Sequence, residues 1–311
     1  MKIESIPIQS MLLFLWLFQA VMNPLAGQTP ELSITAGELV SSAIQNTNPI
    51  TGIPPTRIGD RHALDQPNLS FTYALAITYL SLYACDRFSR QTGSDAQRIV
   101  DIFAIQPGIP NGLDASNLDV TESDKTSGPN AYMGICLLKQ YEKTQEVSYL
   151  WAALEKAEFI LEFQDKDGAI RRSKEESKFE YGVKSTEENL SVYGFFSLLN
   201  EIHLEEKYRI ASDRIRDWLL HSGIYQKKNG ENGGYFAAGT YRDKNGQMVV
   251  DKLYVTDVNA LALIILKPDF LDDFPDKDDT ADHVIDSFTR AQSNIHRSEE
   301  RRVGKECRSR W

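Results

Sequence analysis

Cysteine is scarce in this chain, with three in 311 residues. No disulfide framework replaces a hydrophobic core here, and the chain is long enough to bury a large one. With 41% hydrophobic and 25% charged residues, the composition is globular, neither collagenous nor disordered. A basic excess is also missing. Lys and Arg number 34 against 44 Asp and Glu, a net charge of -10. That balance argues against a partner gripped by its phosphates, so no nucleic acid is expected. No HExxH, CxxC, GxSxG, Walker or GxGxxG motif occurs, and His62, His203, His221, His283 and His296 are scattered. The reading is therefore no metal and no cofactor. The stretch GENGGYF at 230–236 has glycines but no following helix, so it is no phosphate cradle.

A bilayer-spanning apolar run is missing too. The apolar run MLLFLWLFQAVM at 11–22 falls short of the roughly 20 residues that span a bilayer. It follows Lys2 and precedes Ala26 and Gly27, which reads as a secretory signal peptide over 1–27. The expected location is secreted or periplasmic, with no stable membrane insertion after cleavage. Gln28 stands where a lipoprotein needs Cys. At the other end, RSEERRVGKECRSRW (297–311) resembles the in-frame translation of a sequencing adaptor, a non-native tail. Removing its six basic and three acidic side chains takes the charge from -10 to -13. Cys85 and Cys136 then remain, both in apolar helical stretches, and read as buried free thiols.

The middle repeats itself. SFTYALAITYLSLY from Ser70, SGPNAYMGICLLKQY from Ser127, STEENLSVYGFFSLLNEI from Ser185 and TDVNALALIIL from Thr256 start 57, 58 and 71 residues apart. Each opens on a hydroxyl residue, as helix N-caps do, and then runs apolar nearly all round. Ser185 and Glu188 have capping-box spacing. Between these lie IVDIFAIQ, YLWAALEKAEFILEFQ and YRIASDRIRDWLLH, with one apolar stripe each. Trp151 and Trp218, on this second kind of helix, are expected in the core. QDKDGAIRRS (164–173) reads as a Gly turn opening a short strand pair, and 224–253 as a small β-hairpin insertion. The acid-rich run 272–286 reads as a solvated loop, since Ala281 stands where an EF-hand needs Gly.

Alternating buried and half-exposed helices suggest a toroid of helical hairpins. The motifs TYALA, TSGPNAY, STEENL and VTDVNALA carry a resemblance to the (α/α)6, or six-hairpin, glycosidase superfamily over roughly residues 31–292. The forms GPNA, TEEN and TDVNA resemble its extracellular bacterial members, where Trp, His and Trp are expected at the positions of Tyr132, Glu188 and Leu261. The fold class is thus all-α, an (α/α)6 toroid. Helices are expected at 31–46, 71–90, 94–105, 128–143, 147–164, 188–203, 205–221, 256–267 and 278–292. These are nine where a closed ring needs twelve, so 28–296 reads as a toroid truncated at its C-terminus.

Inner helices of a toroid run parallel, so their N-termini gather at one mouth. Chemistry is expected there. Glycoside hydrolysis needs two carboxyl groups about one bond, and Glu187 and Asp257 are the expected catalytic pair, each just inside a helix start. Glu188 supplies a like charge that would raise Glu187, which favours Glu187 as acid and Asp257 as base. Tyr73, Asn130, Tyr132, Glu188, Asn189, Tyr193, Tyr254 and Asn259 are the expected substrate-binding residues, with a carbohydrate as the partner. The asparagines fit backbone capping equally well. Single carboxylates fit helix first turns, and most of the aromatics fit a core. The resulting expectation is a secreted glycoside hydrolase. The alternatives are a toroid polysaccharide lyase, which needs a Tyr or His base and a basic subsite, and a non-catalytic glycan-binding or scaffold protein.

Overall fold

A computed structural model of the chain describes residues 69–84, 90–174, 182–227 and 234–266. The signal peptide, the helices expected at 31–46 and 278–292, the run 272–286, Cys85 and the tail all lie outside the described residues. Within them the order is β1 (Leu69–Phe71), α1 (Thr72–Ala84), α2 (Arg90–Phe103), β2 (Gly112–Asp114), β3 (Val120–Glu122), α3 (Ser127–Thr144) and α4 (Val147–Leu161). Then come β4 (Lys184–Ser185), α5 (Thr186–Ile202), α6 (Glu206–His221), β5 (Tyr225–Lys227), β6 (Gly234–Arg242), β7 (Met248–Tyr254) and α7 (Thr256–Ile265).

Odd and even helices differ as their sequences require. α3 buries residues on every side, from Asn130 and Ala131 through Gln140. α6 buries one stripe, Tyr208, Ala211, Ile215, Trp218 and Leu219, while Arg209 and Asp213 pair across one turn in solvent. α1, α3, α5 and α7 pack side by side in sequence, and each of the first three packs on the even helix that follows it. This is an inner row backed by outer helices. α3 stops at Gln145, whose left-handed φ of 60° turns its N–H onto the Tyr141 carbonyl.

Trp218 joins the core, but Trp151 does not, at 62% exposed. α4 turns Ala152, Ala153, Ala157 and Ile160 inward. Trp151 stands on the opposite face with Val147, which corrects the sequence expectation.

Two small sheets tie the inner helices together at their starts. One has the order β1-β2-β3 and the other β4-β6-β5, with β7 on β6. Phe71, just before α1, pairs antiparallel with Gly112. Ser185, just before α5, pairs in the same way with Gly239. Gly239 has φ +154°, and a Cβ there would lie 2.3 Å from the Lys184 carbonyl oxygen. Only glycine fits that crossing.

Candidate functional site

The inner helices begin at Thr72, Ser127, Thr186 and Thr256. Ser70 and Ser185, taken from the sequence as two of the starts, lie in β1 and at the N-cap of α5. Counting each first residue as position 1, position 4 is Leu75, Asn130, Asn189 and Asn259.

The three asparagines do the same work. Asn130 accepts from the Ile109 N–H at 2.9 Å and donates to the Ile109 and Thr126 carbonyls at 3.2 and 2.8 Å. Asn189 accepts from the Ile170 N–H at 2.7 Å and donates to the Ile170 and Ser185 carbonyls at 3.0 and 2.8 Å. Asn259 accepts from the Phe236 N–H at 2.7 Å and donates to the Phe236 and Val255 carbonyls at 3.0 and 2.9 Å. Each clamps both backbone groups of one buried apolar residue in the segment behind its helix. All three are 0% exposed, and both donors of each carboxamide are committed. Asn130, Asn189 and Asn259 are therefore corrected from substrate contacts to backbone clamps.

Position 1 completes the pattern. Thr72 donates to the Pro110 carbonyl at 3.0 Å, Ser127 to Arg171 at 3.2 Å and Thr186 to Ala237 at 2.7 Å. Each acceptor follows by one residue the residue clamped by the next asparagine. Every connecting segment is thus held between two consecutive inner-helix starts, in one register, three times. The N-termini are fixed at one level as a result.

Position 2 holds Tyr73, Gly128, Glu187 and Asp257. At about 100° per residue, it lies roughly 200° round the helix from the clamping position 4. Glu187 is half-buried. Asp257 is the second residue of α7. Tyr73 is half-buried and meets Tyr132 of the neighbouring helix edge to face, ring centroids 5.1 Å apart.

Glu188 behaves differently from the sequence reading. The Ser185 hydroxyl accepts from the Glu188 N–H at 3.5 Å, but the Glu188 carboxylate does not return to Ser185. It crosses to α3, where the Ser127 hydroxyl donates to it at 3.1 Å. Arg172 Nε stands 3.6 Å from its other oxygen. Gly128 makes room, since a Cβ there would lie 2.7 Å from Glu188 Cγ. Glu188 is 8% exposed, and burial raises its carboxyl above the usual value despite Arg172 and Ser127. The like charge expected to act on Glu187 is itself met by the Ser127 hydroxyl and the Arg172 guanidinium.

The aromatics separate by burial. Tyr132 is 1% exposed and belongs to the core, a correction to its expected substrate role. Tyr193 is half-buried and packs against the core. Tyr254 is half-buried and meets Tyr235 edge to face at 5.4 Å.

Just before α5, Lys184 joins Asp165 at 2.9 Å and Asp167 at 2.6 Å. This ties β4 to the Gly168 turn that carries Ile170 and Arg172. Sequence reasoning passed over Lys184, Arg172 and Ser127 as site residues. The signal available was the Arg171-Arg172 pair directly after a Gly turn.

No group of His, Cys, Asp and Glu that could hold a metal ion occurs among the described residues. No helix among them is long and apolar enough to cross a membrane.

No family model matches the chain, and no curated protein matches it. Solved structures do. An inactive variant of an α-1,6-mannanase from Salegentibacter sp. HEL1_6, with α-1,6-mannotriose bound, superposes with a TM-score of 0.58 at 13% identity, covering 80% of this chain and 70% of that one. The shared fold is the (α/α)6 toroid. An unsaturated glucuronyl hydrolase from Bacillus sp. GL1 matches this toroid with a TM-score of 0.59 at 12% identity, over 83% of this chain and 74% of that one. A sugar epimerase from a ruminal bacterium matches it with a TM-score of 0.61 at 15% identity, over 91% and 75%. At these identities the shared feature is the fold, an (α/α)6 toroid, and not an activity.

Proposed function

We propose that the protein is a secreted or periplasmic glycoside hydrolase acting on an oligo- or polysaccharide, with Glu187 and Asp257 as its paired carboxyl groups. The observation that carries this reading is the shared register. Both residues stand at position 2 of neighbouring inner helices, on the face away from the asparagine clamps. A helix N-terminus favours the ionised form that a base needs. In the mannanase variant that is inactive, two consecutive aspartates are replaced; Glu187 and Glu188 are two consecutive carboxylates at the start of α5. The roles of acid and base are assigned by the two limbs of a pH–rate profile measured on each variant. The test is hydrolysis of a glycan panel by the parent protein, Glu187→Gln and Asp257→Asn.

One observation favours a second reading, elimination from an acidic polysaccharide. Tyr73 also occupies position 2, and cationic side chains flank the start of α3. Ultraviolet absorbance of an unsaturated product separates a lyase from a hydrolase.

A further inference from the structure

The Arg172 guanidinium carries five N–H donors. Its contact with Glu188 is an ion pair through Nε at 3.6 Å, too long for a hydrogen bond. Among the described residues no acceptor takes a hydrogen bond from this side chain, which is 49% exposed. An arginine with one edge steered by a buried carboxylate and its terminal nitrogens open presents the fork that pairs with two oxygens of a carboxylate or sulfate group.

Its place in the fold matters as much. Arg171, the preceding residue, accepts the Ser127 hydroxyl through its carbonyl, so Arg172 borders the starts of both α3 and α5. Lys125, two residues before Ser127, is exposed and has no hydrogen-bonded or ion-paired partner among the described residues. The same register in the next repeat is Lys184, which is satisfied by Asp165 and Asp167. Lys125 is the unsatisfied counterpart of that lysine. Glu188 meets Arg172 only through Nε at 3.6 Å, so it leaves the two terminal nitrogens of the guanidinium uncompensated.

We propose that Arg172, steered by Glu188, recognises an anion at the starts of α3 and α5, so that the site takes glycans bearing a carboxylate or sulfate group. This deepens the carbohydrate-active reading above and rests on it. Glu188 and Gly128 then act through Arg172, Glu188 as its steering group and Gly128 as the space that admits Glu188.

The test is calorimetric binding to the full chain carrying Glu187→Gln, so that bound glycan is not turned over. The probes are oligogalacturonates, oligoglucuronates and sulfated oligosaccharides, each beside its carboxyl-reduced or desulfated counterpart. At least one acidic probe should bind, with its neutralised counterpart weaker by about tenfold or more. Adding Arg172→Gln should erase the difference, and Arg209→Gln, a paired surface arginine of α6, should keep it. Carboxyl reduction and desulfation identify which anion is read. Should Arg172→Gln fail to fold, Arg172→Lys, which loses the fork but keeps the charge, carries the comparison and should shrink the difference. Equal binding of charged and neutralised probes overturns the proposal. So does an unchanged ratio in the arginine variant, binding of neutral glycans alone, or no binding at all. Hydrolysis of a neutral glycan with no acidic binding would leave the hydrolase reading standing and this one overturned. Acidic binding without turnover by the parent protein would do the reverse.

Discussion

Asn189 holds Ile170 by both of its backbone polar groups, accepting from the N–H at 2.7 Å and donating to the carbonyl at 3.0 Å. Ile170 is 0% exposed, so no water replaces those bonds. One side chain thereby fixes the height of a helix start against the segment that carries Arg171 and Arg172. The same joint recurs at Asn130 with Ile109 and at Asn259 with Phe236.

Asn189→Ala should therefore destabilise the fold by on the order of 3 kcal/mol, because it strands buried backbone groups. Asn189→Asp should rescue little, since a carboxylate cannot donate to the Ile170 and Ser185 carbonyls. Denaturant midpoints at constant slope check this, and a midpoint unchanged in Asn189→Ala would remove the clamp from the account.

Gly128→Ala places a methyl 2.7 Å from Glu188 Cγ. Alanine's better helix propensity, about 1 kcal/mol, works against the clash, but Glu188 is tethered at its far end by Ser127. The expected net loss is about 1–2 kcal/mol. Adding Glu188→Ala should recover most of it in a double-mutant cycle.

Two carboxylates should give opposite pH dependence. Glu188 is raised above 4.5 in the folded state, first by burial. Its contribution is thus present below the unfolded value and is lost as pH rises through the folded one. Burial alone would raise Asp165, but hydrogen bonds from Lys184 and the Lys166 N–H outweigh it and hold Asp165 below 3.8. That contribution is present above 3.8 and lost as pH falls through the folded value. Glu188→Gln should flatten the decline on the neutral side. Asp165→Asn should blunt the acid limb. Stability measured against pH reads both.

Lys156 is 1% exposed on α4, its ammonium held by the Gln106 carbonyl. Burial pulls its pKa from 10.5 down to about 7. The unfolded chain binds the extra proton between those values, so stability should rise with pH from about 7 to 10.5. Lys156→Met should abolish that rise and stabilise the protein near pH 7. Loss of stability at pH 7 would show that the carbonyl contact outweighs desolvation.

The helix rows were legible in the sequence because hydroxyl starts and apolar runs are local signals. α3, α4, α5 and α6 begin within two residues of where periodicity puts them. The asparagine clamps were not legible as such. Their partners Ile109, Ile170 and Phe236 lie about 20 residues back in segments with no periodicity of their own. A position-4 Asn has the same local signature whether it faces backbone or sugar. Glu188 misled for a related reason. Capping-box spacing is read along one helix, but the direction of this carboxylate is decided by the missing side chain of Gly128 on another. Trp151 shows the limit of burial by residue type, because α4 already fills its inner face with alanines. Glu187 and Asp257 were legible only as residues just inside a helix start; their common position 2 emerges once α5 begins at Thr186 and Ser185 becomes its N-cap.

The most direct test of the central claim is the rate of glycan hydrolysis by the parent chain, Glu187→Gln and Asp257→Asn, with thermal melts confirming that each folds. The account predicts that each substitution lowers kcat by about 10²–10⁴-fold, as loss of an acid or base does, with little change in Tm. Full activity retained by either variant would contradict it.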